Sequence, residues 1–124
     1  MNAYEVGKKL VELCKKGENQ AAMETLYSPD VVSVEAAEMP GAPAREIRGI
    51  QGVATKAKWW VENNEVHSAE VEGPWPHDDR FIVRFKYDIT SKPMNKRMQM
   101  DEVGLYTVKD GKIVREEFFY PTGP

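Results

Sequence analysis

The sequence predicts an α+β fold in which a curved sheet wraps round three N-terminal helices. Two observations carry this reading. Before residue 65 apolar side chains recur mostly at helical spacing, whereas after it they alternate with a period of two. Helices also gather at the start of the chain and strands at its end, an order that excludes a wound parallel sheet.

Residues 3–16 carry Ala3, Val6, Leu10, Leu13 and Cys14 on one helical face. Lys15 and Lys16 suit the C-terminal end of that helix, and Gly17 stops it. A second helix over 19–27 turns Ala22, Met23 and Leu26 inward, and Ser28-Pro29-Asp30 breaks it. Residues 31–36 read as a strand, and 38–49, with Pro40, Gly41, Pro43 and Gly49, as a loop. A third helix over 50–64 has Val53, Ala57, Trp60, Val61 and Asn64 on one face, with Trp59 beside it.

Four strands follow. The first alternates over 66–72 and stops at Gly73-Pro74. The second, 80–90, sets Phe81, Val83, Phe85, Tyr87 and Ile89 on one face. The third, 97–108, and the fourth, 113–120, flank Asp110-Gly111, a strong hairpin signal. Short turns between consecutive strands imply an antiparallel meander.

A length of 124 residues fits one domain, 1–124, large enough to bury a real core. The net charge of −3, with both signs interspersed, gives no electrostatic support for nucleic-acid binding. No apolar run approaches a membrane span, no signal peptide is expected, and a cytoplasmic location is the default. The single cysteine, Cys14, excludes an intrachain disulfide. His67 and His77 lack partners at ligand spacing, so no metal site is expected. No glycine-rich nucleotide fingerprint is present, so no cofactor is expected either.

Phe118 and Phe119 point to opposite faces of the last strand. One sheet face packs on the helices. The other is expected to pack on a second copy of the chain, making a homodimer, the alternative being a single exposed Phe near the C-terminus.

Three stretches resemble the nuclear transport factor 2-like superfamily, which includes ketosteroid isomerase, scytalone dehydratase and the SnoaL-like polyketide cyclases. They are Leu26-Tyr27-Ser28-Pro29-Asp30-Val31-Val32, Gly49-Ile50-Gln51-Gly52-Val53 and Asp110-Gly111-Lys112-Ile113-Val114. The subgroup they resemble is the SnoaL-like domains. The resemblance implies a cone-shaped fold, a homodimer and a deep pocket inside the cone. It does not fix a reaction, because isomerases, dehydratases, cyclases and binding domains share the fold.

Within such a cone Glu35 is the first candidate for acid–base chemistry. In ketosteroid isomerase-like sequences the catalytic carboxylate follows the same turn; the alternative is a pair with Arg45 or Arg48 at the mouth. His67 shares a strand face with Ala69 and Val71 and is expected to point inward, as an acid, base or donor, or as a satisfied core histidine. The isomerase's second acid falls by turn-anchored counting on Gly104, which has no side chain. Glu102, two residues earlier on the same face, is a substitute, unless it pairs with Arg97 or a lysine.

Trp59, Trp60, Tyr27, Phe85, Tyr87, Tyr106 and Tyr120 form an aromatic stock suited to core and to a hydrophobic small-molecule ligand. Lys56 and Lys58 are solvated helix charges, or rim charges that attract an anion. The expected function is isomerase, cyclase or dehydratase chemistry by proton transfer. The alternatives are a non-catalytic binding module or a dimeric assembly adaptor.

Overall fold

The computed structural model describes residues 1–38 and 43–122; the central part of the expected 38–49 loop lies outside the described residues. Three helices, α1 (Ala3–Lys15), α2 (Asn19–Leu26) and α3 (Ile50–Asn63), pack inside one sheet. Its strands are β1 (Tyr27–Val34), β2 (Glu46–Arg48), β3 (Asn64–His77), β4 (Arg80–Ser91), β5 (Lys96–Lys109) and β6 (Lys112–Phe119). The sheet order is β2-β1-β6-β5-β4-β3. β3 to β6 form the expected antiparallel meander, and β1 joins it in parallel alongside β6.

α1 begins with a reciprocal cap. The Asn2 side chain accepts from the Glu5 amide, and the Glu5 carboxylate accepts from the Asn2 amide, which satisfies two donors at the helix start. Ala3, Val6, Leu10 and Val11 turn inward and pack against the concave face of the sheet with Phe81, Val83, Phe85 and Ile113. Gly7 lets α1 approach closely: a Cβ there would lie 2.8 Å from Pro74 Cβ and 3.0 Å from the Phe81 ring. Phe81 stacks on Tyr106 at 4.9 Å between centroids. Burying such a ring contributes about 1.5–3 kcal/mol.

Three boundaries differ from expectation. β1 begins at Tyr27, so Ser28-Pro29-Asp30 lies within the strand, where its register against β6 breaks. β2 is a short strand inside the expected loop, paired antiparallel with β1 through Arg48, Ile47 and Glu46. β3 runs past Gly73-Pro74 and resumes pairing at Trp75 opposite Ile82, so His77, expected in a loop, ends the strand opposite Arg80. The Asp110-Gly111 hairpin has positive φ at both residues, 52° and 76°, as a two-residue turn of this kind requires.

Two bulges set which side chains face inward. In β3, Val66 pairs with Ile89 and Ser68 with Asp88, which leaves His67 as an extra residue. In β6, Ile113 pairs with Val108 and Arg115 with Thr107, which leaves Val114 extra. Each bulge reverses the alternation beyond it.

Candidate active site

Between α2, α3 and the concave sheet face lies a cavity of about 730 Å³. Each wall has a sequence cause. Along α3, Val53, Lys56, Ala57 and Trp60 share the inner face at one-turn spacing. Asn63 and Asn64 donate to the Trp59 and Trp60 carbonyls at 2.8 and 2.9 Å, closing the helix below both indoles. β4 contributes Phe85 and Tyr87, β5 Met100, Glu102 and Tyr106, and β6 Glu116 and Phe118. Trp60 packs on Tyr87 at 5.3 Å. All seven aromatic residues expected to meet a ligand line this cavity: Trp59, Trp60, Tyr27, Phe85, Tyr87, Tyr106 and Tyr120.

Polar groups converge within the apolar wall. The Lys56 ammonium lies 2.6 Å from Glu35 Oε1, donates to Ser33 Oγ at 2.6 Å, and sits 5.1 Å from the centre of the Phe118 ring. Tyr120 donates to the other Glu35 oxygen at 2.9 Å. Glu35 is therefore held through both carboxylate oxygens. Its expected alternative partner, Arg45, instead donates to the Glu35 backbone carbonyl at 2.8 Å, while Arg48 pairs with Glu46. Lys56 thus points into the cavity, whereas Lys58 is exposed and pairs with Glu62 at the mouth. Val61, expected on the inner face of α3, is 64% exposed.

Deeper in, Tyr27 donates to Glu116 at 3.0 Å; Glu116 is buried and Tyr27 partly so. Burial raises the Glu116 carboxyl to about 7, with Lys56 and the Tyr27 hydrogen bond pulling the other way. Glu102 is raised to about 7 as well, first by burial and then by the charge of Glu35, with Lys56 opposing. Burial likewise pushes the Tyr87 and Tyr120 hydroxyls up and the Cys14 thiol up to about 11, so none of these three ionises near neutrality.

Glu102 faces the cavity, and Arg97, its expected alternative partner, instead binds Asp88 through two hydrogen bonds on the other face of the sheet. Gly104 does stand next along this face. A Cβ there would lie 2.9 Å from the Tyr106 ring, so the missing side chain makes room for a tyrosine.

His67 requires a correction. It is exposed, and its Nε2 lies 2.7 Å from Thr90 Oγ1 on the outer face, because the β3 bulge falls on this residue. It takes no part in the cavity. Sequence reasoning also missed Glu116. Strict alternation from Ile113 sends Glu116 outward, and the Val114 bulge turns it in. Lys56 had a usable signal, its position one turn after Val53 on the inner face of α3.

A helix-lined cone whose apolar cavity gathers Glu35, Glu102 and Glu116 around the Lys56 ammonium is an architecture suited to binding a small molecule. The chain belongs to the SnoaL-like domain family, whose model matches residues 1–120. A Mesorhizobium loti protein assigned to the SnoaL-like polyketide cyclases, and also named a carbohydrate phosphatase, is 46% identical. That match has a TM-score of 0.88 and covers 94% of this chain and 97% of the other.

More distant structures share the fold. A Burkholderia thailandensis nuclear transport factor 2-like protein is 21% identical with a TM-score of 0.78, covering 98% of this chain and 93% of its own. A Xanthomonas campestris protein of unknown function with a cystatin-like fold is 18% identical with the same TM-score of 0.78, covering 97% and 91%. No functionally curated protein matches the sequence. No helix among the described residues is long and apolar enough to cross a membrane, and no cluster of three or more His, Cys, Asp or Glu residues suited to a metal ion occurs among them.

Proposed function

We propose that the protein is an acid–base catalyst of the isomerase, cyclase or dehydratase kind, acting on a hydrophobic small molecule that carries a carbonyl group. The observation that carries this reading is Glu102: a carboxyl raised to about 7 on the wall of an aromatic cavity that also holds an ammonium group. A base that titrates near the working pH balances availability against proton affinity.

In this reading Glu102 takes a proton from the carbon beside the carbonyl. The Lys56 ammonium, oriented by Glu35 and Ser33, faces the oxygen on which negative charge develops. Glu35 is a positioning residue, since both of its oxygens are engaged. Proton return from Glu102 to a different atom completes an isomerisation; in a cyclisation the enolate carbon bonds to a second carbonyl carbon, whose oxygen becomes an alkoxide and takes the proton back from Glu102.

The test is deuterium wash-in. Neutral aryl and alkyl ketones that bind are incubated with the protein in deuterium oxide and followed by proton NMR. Exchange beside the carbonyl is expected above the buffer rate, falling by about 10²–10⁴-fold in Glu102→Gln. Ketones that bind without exchanging would support the rival reading, a binding module using the same cavity.

The pocket accounts for the concave face, and the convex face supports a proposal of its own, a homodimer. Trp75, Ile82 and Phe119 are exposed there at 51%, 38% and 52%. In the register Ile82 lies between Trp75 and Leu105, and Val103 lies opposite Phe119. Apolar side chains in such proximity favour a protein partner over water.

A further inference from the structure

The proposed reaction leaves open what kind of molecule enters the cavity, and its charge inventory narrows the choice. Among the described residues, Glu35, Glu102 and Glu116 line its interior together with one largely buried ammonium, Lys56, and a fourth carboxyl, Glu62, stands at the mouth. That ammonium is already engaged by Glu35 at 2.6 Å and Ser33 at 2.6 Å. Lys58, the other lysine on the lining, is exposed at the mouth beside Glu62 at 3.8 Å. No arginine lines the cavity among the described residues, so the forked donor that best holds a carboxylate or phosphate is missing.

On the proposed reading of this site, we infer that its substrate is an uncharged hydrophobic carbonyl compound, and that carboxylates and phosphate esters are rejected. The reaction itself supports this. When Glu102 takes a proton from a neutral substrate, the negative charge moves from the carboxylate to the substrate oxygen, and the total charge in the cavity is unchanged. A permanent anion instead adds charge to a space where carboxyl groups outnumber the ammonium and the walls are mostly apolar. Binding then requires the protein to take up a proton at Glu102 or Glu116. Of the two activities named for the Mesorhizobium loti relative, one on a sugar phosphate fits the charge of this cavity poorly and one on an uncharged polyketide fits it well.

The test compares three probes of one shape by isothermal titration calorimetry: 2-acetonaphthone, 2-naphthoate and 2-naphthyl phosphate. At about pH 8, where both raised carboxyls are mostly ionised, the ketone is expected to bind at least about tenfold more tightly than either anion. Lowering the pH to about 6 should narrow the naphthoate gap, because the carboxyls take up protons while naphthoate stays ionised. Glu102→Gln should strengthen naphthoate binding at the higher pH. Either anion binding as tightly as the ketone at that pH overturns the inference while leaving the pocket reading intact. Failure of the ketone itself to bind sinks the pocket reading and this inference together.

Discussion

Burial raises both the Glu102 and Glu116 carboxyls, and the Lys56 ammonium opposes the rise of each. Glu116 offers the cleaner stability test, being buried and hydrogen-bonded to Tyr27. Its carboxyl is raised to about 7 from an ordinary 4.5, so between these values it is protonated in the folded chain and ionised in the unfolded one. The folded state binds more protons there, and stability falls as pH rises through that window. Glu116→Gln removes the titration. The variant should therefore gain on the natural protein by up to about 3 kcal/mol between the low and high ends of the window, read from urea midpoints at each pH.

At this scale the candidate site was partly legible. Glu102, Phe85, Tyr87 and Tyr106 could be placed because they lie on β4 and β5, whose alternation is unbroken, and Trp59 and Trp60 because they lie on α3; Glu35 and Tyr120 fall just past the ends of β1 and β6, beyond a register break in each. His67 and Glu116 were misplaced or missed because a single inserted residue, at His67 itself and at Val114, inverts the facing list.

At the scale of elements, α1 against the β3–β4 hairpin is the most sharply determined contact. Gly7 stands where any Cβ would press on Pro74 and Phe81, and Phe81 has no room to yield because it is stacked on Tyr106. Gly7→Ala would improve helix propensity by about 1 kcal/mol. The overpacking, about 1–3 kcal/mol, outweighs that gain. A lower thermal midpoint is the expected outcome, and an unchanged or higher one would contradict the close approach.

The helices and the meander were legible because their periods are long and clean. The start of β1, the β2 strand and the far end of β3 were not. Ser28-Pro29-Asp30 and Gly73-Pro74 carry turn-forming residues, yet both lie within strands that pause in their pairing and resume. β2 spans only Glu46–Arg48, too short for an alternation to register, and its pairing with β1 is visible only in three dimensions.

For the whole molecule, the concave face is committed to helices and cavity, and the convex face carries the exposed Trp75, Ile82 and Phe119. Bidentate pairs between Arg84 and Asp101 and between Arg97 and Asp88 lie on that same face and add polar contacts able to fix orientation at low cost. Sedimentation velocity should give a dimer mass, and Phe119→Lys should shift it to monomer without loss of helix and strand signal in circular dichroism. A monomer at all accessible concentrations would remove the interface.

The central claim is that this cone holds a carboxyl poised near neutrality inside an apolar cavity. The most direct measurement is a pH titration of the Glu102 side-chain carboxyl by carbon-13 NMR, assigned with Glu102→Gln. The expected midpoint is about 7, rising further in Lys56→Gln because the opposing ammonium is gone. A midpoint at the ordinary carboxylate value of about 4.5, unmoved by the Lys56 substitution, would contradict it.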